Sequence, residues 1–160
     1  MDRIDQSILA LLSRDGRISF TDIGRELGLS TSAAQQRVRR IEAAGVISGY
    51  TARVNPNAVG RTLAAFVSIR VLSSEQDETV RSFMESAPEV VGCCTVAGDA
   101  DFWAKVMVRD SVELEAFINR LRNAASVLTV TTVVLTTLFN DRPLVDLPPE
   151  APSKHRKPTS

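Results

Sequence analysis

Residues 29–47 read LSTSAAQQRVRRIEAAGVI. Ser30 is a good N-cap, and Ala34, Val38 and Ile41 then recur at helical spacing on one face. Ser32, Gln35, Gln36, Arg39 and Arg40 fall on the other face, with Arg37 at its flank. Gly45 closes this helix, and Val46-Ile47 starts extended chain. Toward the N-terminus, Phe20, Ile23 and Leu27 make a second apolar stripe. Ser19, with Asp22 three residues on, resembles a capping box for it, and Gly28 ends it. Ile4, Ile8, Leu11 and Leu12 make the first stripe, stopped by Asp15-Gly16. Two short helices joined by about four residues around a glycine have the geometry of a helix-turn-helix.

The placement of charge says what this motif meets. Over the whole chain 19 basic residues balance 19 acidic ones. Through Asn55, eight arginines face six carboxylates, a net +2; from Pro56 to Leu147 the balance is −4, and the rest carries +2. Basic charge is concentrated on one helix face while the remainder cancels it, which points to a polyanion met by that face. A helix-turn-helix presents its second helix to the major groove, with residues near that helix's N-terminus at the bases. Hydroxyls and glutamine amides can donate and accept at base edges, and arginines can hold phosphates or guanine. The candidate DNA contacts are therefore Ser32, Gln35, Gln36, Arg37, Arg39 and Arg40.

Beyond the helices, residues 49–62 (GYTARVNPNAVGRT) hold two glycines, a proline and two asparagines and read as a hinge, with a strand possible over 50–54. The period then changes. Ala65, Val67, Ile69 and Val71 alternate with Ala64, Phe66, Ser68 and Arg70, as in a strand. Val80, Phe83, Met84 and Ala87 are helix-spaced; 90–97 and 102–109 are extended around the turn Gly98-Asp99-Ala100-Asp101. Leu114, Phe117, Ile118 and Leu121 are helix-spaced, and 127–139 reads as one long β-branched strand. The order βαββαβ is the ferredoxin-like pattern. The fold class is α+β: a helix-turn-helix at 1–48, the hinge at 49–62, a βαββαβ domain at 63–142, and at 143–160 a Pro-rich basic tail expected to be disordered. Helices cover one face of such a sheet, so the other, still apolar, calls for a second copy.

The motifs D-x-x-D-x-x-I-L (2–9), D-G-R (15–17), G-L-S (28–30), R-V-R-R (37–40) and G-Y-x-A (49–52), with the loop in VAGDADFWAKV, together resemble the Lrp/AsnC family of bacterial transcriptional regulators. The resemblance spans nearly all of the chain to about Arg142. It implies a sequence-specific DNA-binding regulator with a winged helix-turn-helix and a ferredoxin-like, RAM-type effector domain, working on double-stranded DNA in the cytoplasm, associated with the nucleoid. It implies a dimer that assembles further, commonly to an octamer or another multimer of dimers. It also implies an amino-acid effector, of unknown identity, near the glycine-aspartate loop and the last strand. Effector contacts would then be Gly98, Asp99 and Asp101, with Thr131, Thr132 and Thr136 on that strand. Asp99 or Asp101 could take the ammonium, while backbone N–H groups and threonine hydroxyls take the carboxylate. Ala100 departs from bulkier residues in many relatives, so effector identity does not carry over.

Other classes fit less well. No apolar run reaches the roughly 20 residues of a membrane span, and the start of the chain lacks the pattern of a signal peptide. The sole histidine, His155, lies in the tail, and the adjacent Cys93 and Cys94 read as small buried hydrophobes rather than metal ligands or a nucleophile with its base. No enzyme, cofactor or metal is expected. Trp103 reads as core or sheet-interface packing. The alternative of the same fold is an architectural protein that wraps DNA without effector control.

Overall fold

The computed structural model describes residues 1–140 and 142–145. They form two compact units, Met1–Ala52 with the described residues from Phe139 on, and Arg53–Leu138.

The first unit holds α1 (Arg3–Arg14), α2 (Phe20–Leu27) and α3 (Thr31–Ala43). Each helix is capped by the side chain before it: Asp2, Ser19 and Ser30 accept N–H bonds from Asp5, Asp22 and Ala33. The reciprocal capping box lies at Asp2 and Asp5, where each carboxylate accepts the other's backbone N–H. Ile8, Ile23, Ala34, Val38 and Ile41 are buried together, as their spacing predicts, and Val145 packs against the same cluster. Two glycines shape the turn. Gly28 ends α2 in the left-handed region at φ 66°. Gly24 is buried where a Cβ would come within 2.7 Å of the Leu29 carbonyl oxygen, so only glycine lets the turn close onto α2.

The expected wing is a correction. Among the described residues of this unit no strand forms, and 46–54 is irregular chain. A strand needs a ladder partner, and this segment has none among the described residues. Tyr50 instead donates to Glu42 at 2.8 Å, tying the segment to the end of α3. Burial and the Glu42 bond raise the Tyr50 pKa to about 12.

The second unit holds β1 (Leu63–Arg70), α4 (Ser74–Ser86), β2 (Val90–Thr95), β3 (Phe102–Val108), α5 (Ser111–Ala125) and β4 (Leu128–Val133), preceded by a 3₁₀ turn at Pro56–Val59. The sheet runs β2-β3-β1-β4, antiparallel throughout, as the βαββαβ order requires. Ala65, Val67 and Ile69 alternate inward with Ala104, Val106 and Phe102 opposite them, and Phe117 and Leu121 of α5 complete the core. Burying side chains of this size gives about 1.5–3 kcal/mol each.

Two expectations change here. β4 ends at Val133 rather than near 139, because Val134 donates to Ala64 and β1 itself begins at Leu63, so no backbone remains to pair with later residues. Cys93 and Cys94 are exposed, not buried: β2 is an edge strand, paired along one side only. Trp103 is half-exposed on the sheet face away from the helices, tilted against Phe66 at a centroid distance of 6.1 Å. Leu128 and Val130 share that open face, opposite Arg70 and Ser68 in the β1–β4 register. The tail from 146 on, with His155, lies outside the described residues.

Candidate functional site

The six side chains proposed for DNA all lie on α3, but not with equal freedom. Ser32, Gln36, Arg39 and Arg40 are exposed, and Gln35 and Arg37 are half-buried. Gln36, Arg37 and Arg40 line a shallow cleft of about 340 Å³ with Ala33. Arg37 is turned toward α1: its Nη1 lies 2.6 Å from an Asp2 oxygen and 2.8 Å from an Asp5 oxygen. Arg40 donates through Nη2 to both oxygens of Asp5, at 2.9 and 2.8 Å. Asp5 is one of two buried charged side chains among the described residues. Burial opposes its ionisation. The Asp2 N–H bond, the Arg37 bond and the Arg40 charge outweigh that cost and hold its carboxyl below the usual value. Arg39 alone of the three arginines has no acidic partner among the described residues. The D-x-x-D and R-V-R-R motifs are therefore one another's partners, a pairing that no local spacing in the sequence displays.

In the second unit the glycine-aspartate loop joins β2 to β3. Gly98 takes φ 151°, a conformation side chains rarely adopt. The two aspartates of the loop part company. Asp101 is spent on the backbone: its carboxylate accepts from Val71 N–H at 2.8 Å, and its own N–H donates to the Ile69 carbonyl at 2.9 Å. It locks the loop to the end of β1 rather than reaching outward. Asp99 lines a cleft of about 210 Å³ with Ser68, Arg70, Ala100, Leu128 and Val130. Neither Asp99 nor Arg70 has an ion-pair partner among the described residues.

The threonines expected on the last strand are divided. Thr131 pairs across from inward-facing Val67, so its side chain is on the helix-covered face. Thr132 lies opposite Phe66 on the open face, and Thr136 is beyond the strand. None of the three lines the cleft with Asp99. Ser68, Arg70, Leu128 and Val130 take that place. Sequence reading missed them because only the antiparallel β1–β4 register brings 68–70 beside 128–130 and the loop.

Comparison with known proteins matches these two regions separately. The model of the AsnC-type helix-turn-helix domain matches residues 1–42, and that of the Lrp/AsnC ligand binding domain matches residues 64–144. The chain belongs to the Lrp/AsnC family. It is 40% identical over 142 residues to LrpA, a helix-turn-helix transcriptional regulator of Mycobacterium tuberculosis, covering 89% of this chain and 95% of that one. It is 38% identical over 112 residues to the leucine-responsive regulatory protein of Escherichia coli, covering 69% and 68%. Among solved structures, a feast or famine regulatory protein of M. tuberculosis complexed with L-methionine superposes with a TM-score of 0.82 at 40% identity, covering 88% and 96%. A regulator from Neisseria meningitidis, also an L-methionine complex, shares the fold with a TM-score of 0.85 at 22% identity, covering 90% and 96%. As an Lrp/AsnC protein, the chain is a DNA-binding transcriptional regulator with a ligand-binding domain.

Proposed function

We propose that this regulator reads DNA with α3 and that a free α-amino acid, held in the cleft beside Asp99, changes its DNA affinity or assembly. The observation that carries the reading is the pair of unspent opposite charges lining one small cleft, Arg70 and Asp99. An amino acid carries both complementary charges. The guanidinium takes its carboxylate and the Asp99 carboxylate its ammonium, each through a charge-assisted bond. Leu128 and Val130 offer apolar surface to its side chain. The L-methionine bound by the M. tuberculosis relative is a ligand of this chemistry. On the DNA side, Ser32, Gln35 and Gln36 meet base edges and Arg39 meets phosphate or guanine, while Arg40 does so only by giving up bonds to Asp5. Arg37 contributes chiefly by holding α3 against α1, its charge being already shared with Asp2 and Asp5.

Assembly follows from the open sheet face. Phe66, Trp103 and Val130 are exposed there, and a second copy would cover them. Because Ser68, Leu128 and Val130 belong both to that face and to the cleft, a second copy laid on it would also close over the ligand. Dimers, and multimers of dimers, thus couple to the effector. The setting is the cytoplasm, on nucleoid DNA, with no catalytic step and no metal or other cofactor.

The test is fluorescence anisotropy of the protein on its own upstream DNA, across a salt series, with each of twenty amino acids. One or a few should change the affinity by about 5–150-fold, the range of working allosteric couplings. Salt-sensitive binding that no amino acid alters would instead support the architectural alternative, a DNA-wrapping protein without effector control.

A further inference from the structure

Three arginines within four positions suggest a strongly cationic recognition helix, yet the structure offsets two of them from behind. Asp5, with its side chain only 3% exposed, accepts from both Arg37 and Arg40, and Asp2 accepts from Arg37. Two carboxylates and two guanidiniums make a neutral cluster. The four donor–acceptor distances between Arg37 or Arg40 and these acids run from 2.6 to 2.9 Å, normal for charge-assisted bonds. A guanidinium held this way gives up acid contacts to reach a phosphate, so its gain from sequence-independent backbone binding is reduced. Arg39, one position away, has no such counterweight.

We propose that Asp5, seconded by Asp2, is a positioning residue that restrains Arg37 and Arg40 and so limits non-specific DNA binding by α3. The inference rests on the proposed contact of α3 with DNA. Phosphate binding by each additional cation steepens the dependence of log affinity on log salt by about 0.9. Without the restraint, the arginines add to that slope on any sequence, and discrimination between sites falls.

The experiment measures binding of the full-length protein to a random-sequence 30-base-pair duplex by anisotropy between about 50 and 200 mM salt, the range over which phosphate contacts are most visible. Asp5→Asn should bind this duplex several-fold more tightly than the wild type, with a slope steeper by about 1–2. Asp5→Glu, which restores the charge, should return the slope toward wild type even if stability does not recover fully. A purely structural role would not produce that reversal. If Asp5→Asn fails to fold, Asp2→Asn decides. Asp2 is half-exposed and Asn caps a helix as well as Asp, so α1 keeps its cap, and the same steepening is expected at smaller size. Folded Asp5→Asn or Asp2→Asn with an unchanged or shallower slope overturns the restraint. Arg39→Ala separates the two readings: if it lowers the slope by about 1 while the aspartate variants do not raise it, only the restraint fails. If Arg39→Ala leaves the slope unchanged, the α3 contact fails and takes this inference with it.

Discussion

Arg37 and Arg70 each lie beside aspartates, but only Arg37 is bonded to them. Arg37 reaches Asp2 and Asp5 across the gap between α1 and α3, and with Arg40 makes a closed set of charges. Arg70 stands at the end of β1, sharing a cleft with Asp99, and neither has an ion-pair partner among the described residues. The first arrangement fixes two helices. The second leaves two opposite charges for a molecule that carries both. Availability for function therefore depends on what has already bonded to a residue in the fold, and membership in a basic motif does not reveal it.

The sharpest way to break this contrast is to remove Arg70. Arg70→Ala should abolish the response to the amino acid, reducing a coupling of about 5–150-fold to under twofold. DNA affinity without effector and its salt slope should stay unchanged, because the residue belongs to the other unit. Anisotropy with and without the effector reads both. Loss of effector-free DNA binding instead would mean that Arg70 serves the fold or the assembly.

A packing change tests the paired side of the contrast. In Gly24→Ala the new methyl meets the Leu29 carbonyl oxygen at 2.7 Å, a contact with backbone that has little room to move. Overpacking costs about 1–3 kcal/mol, against about 1 kcal/mol gained in helix propensity. The expected outcome is a helix unit destabilised by up to about 2 kcal/mol, measured by denaturant unfolding. It should be accompanied by weaker DNA binding and an unaltered ligand cleft.

The paired charges also set an acid limit. The Arg37 bond, the Asp5 N–H and the nearby arginine charges lower the Asp2 pKa against an opposing burial cost. For Asp5 burial is the largest influence and acts upward, yet its bonds still bring the pKa below 3.8. A carboxylate whose folded pKa is depressed contributes stability that is present above the unfolded value and lost as pH falls through the folded one. The helix unit should therefore hold its stability down to about pH 4 and lose it below that. In Asp5→Asn that fall should be shallower. Circular dichroism melts from neutral pH to pH 2 check the window, and a loss centred near pH 6 would contradict the assignment.

The stripes Ile8, Ile23, Val38 and Ile41, the caps Ser19 and Ser30, and the βαββαβ alternation were legible because each is written in local spacing. The wing was not, since its strands would need a ladder partner that the described residues do not supply. The full length of β4 was not either, since it is set by where β1 begins. The exposure of Cys93 and Cys94 depends on β2 being at the edge, a fact of strand order. The candidate sites divide in the same way. The α3 candidates were named from the sequence, but the pairing of Arg37 and Arg40 with Asp2 and Asp5 spans more than thirty positions. Asp99 was named from the sequence, but Arg70 and Ser68 come to it only through sheet register.

The smallest expected effect bears on that last division. Thr136 was chosen from a strand that stops three residues earlier, and Thr131 faces the helices while the cleft opens on the other side. Thr136→Ala and Thr131→Ala should each leave the amino-acid response within about twofold of wild type, under the roughly 0.5 kcal/mol typical of substitutions away from a site. Val130, between them and the loop, faces the open side and lines the cleft. Val130→Ala should weaken the effector by removing apolar contact worth about 1 kcal/mol, a factor of about five in its apparent Kd, with DNA binding otherwise intact. If Thr136→Ala shifted the effector curve as far as Val130→Ala, the ligand would have to reach past the end of β4. The unspent pair Arg70 and Asp99 would then be the edge of a larger site.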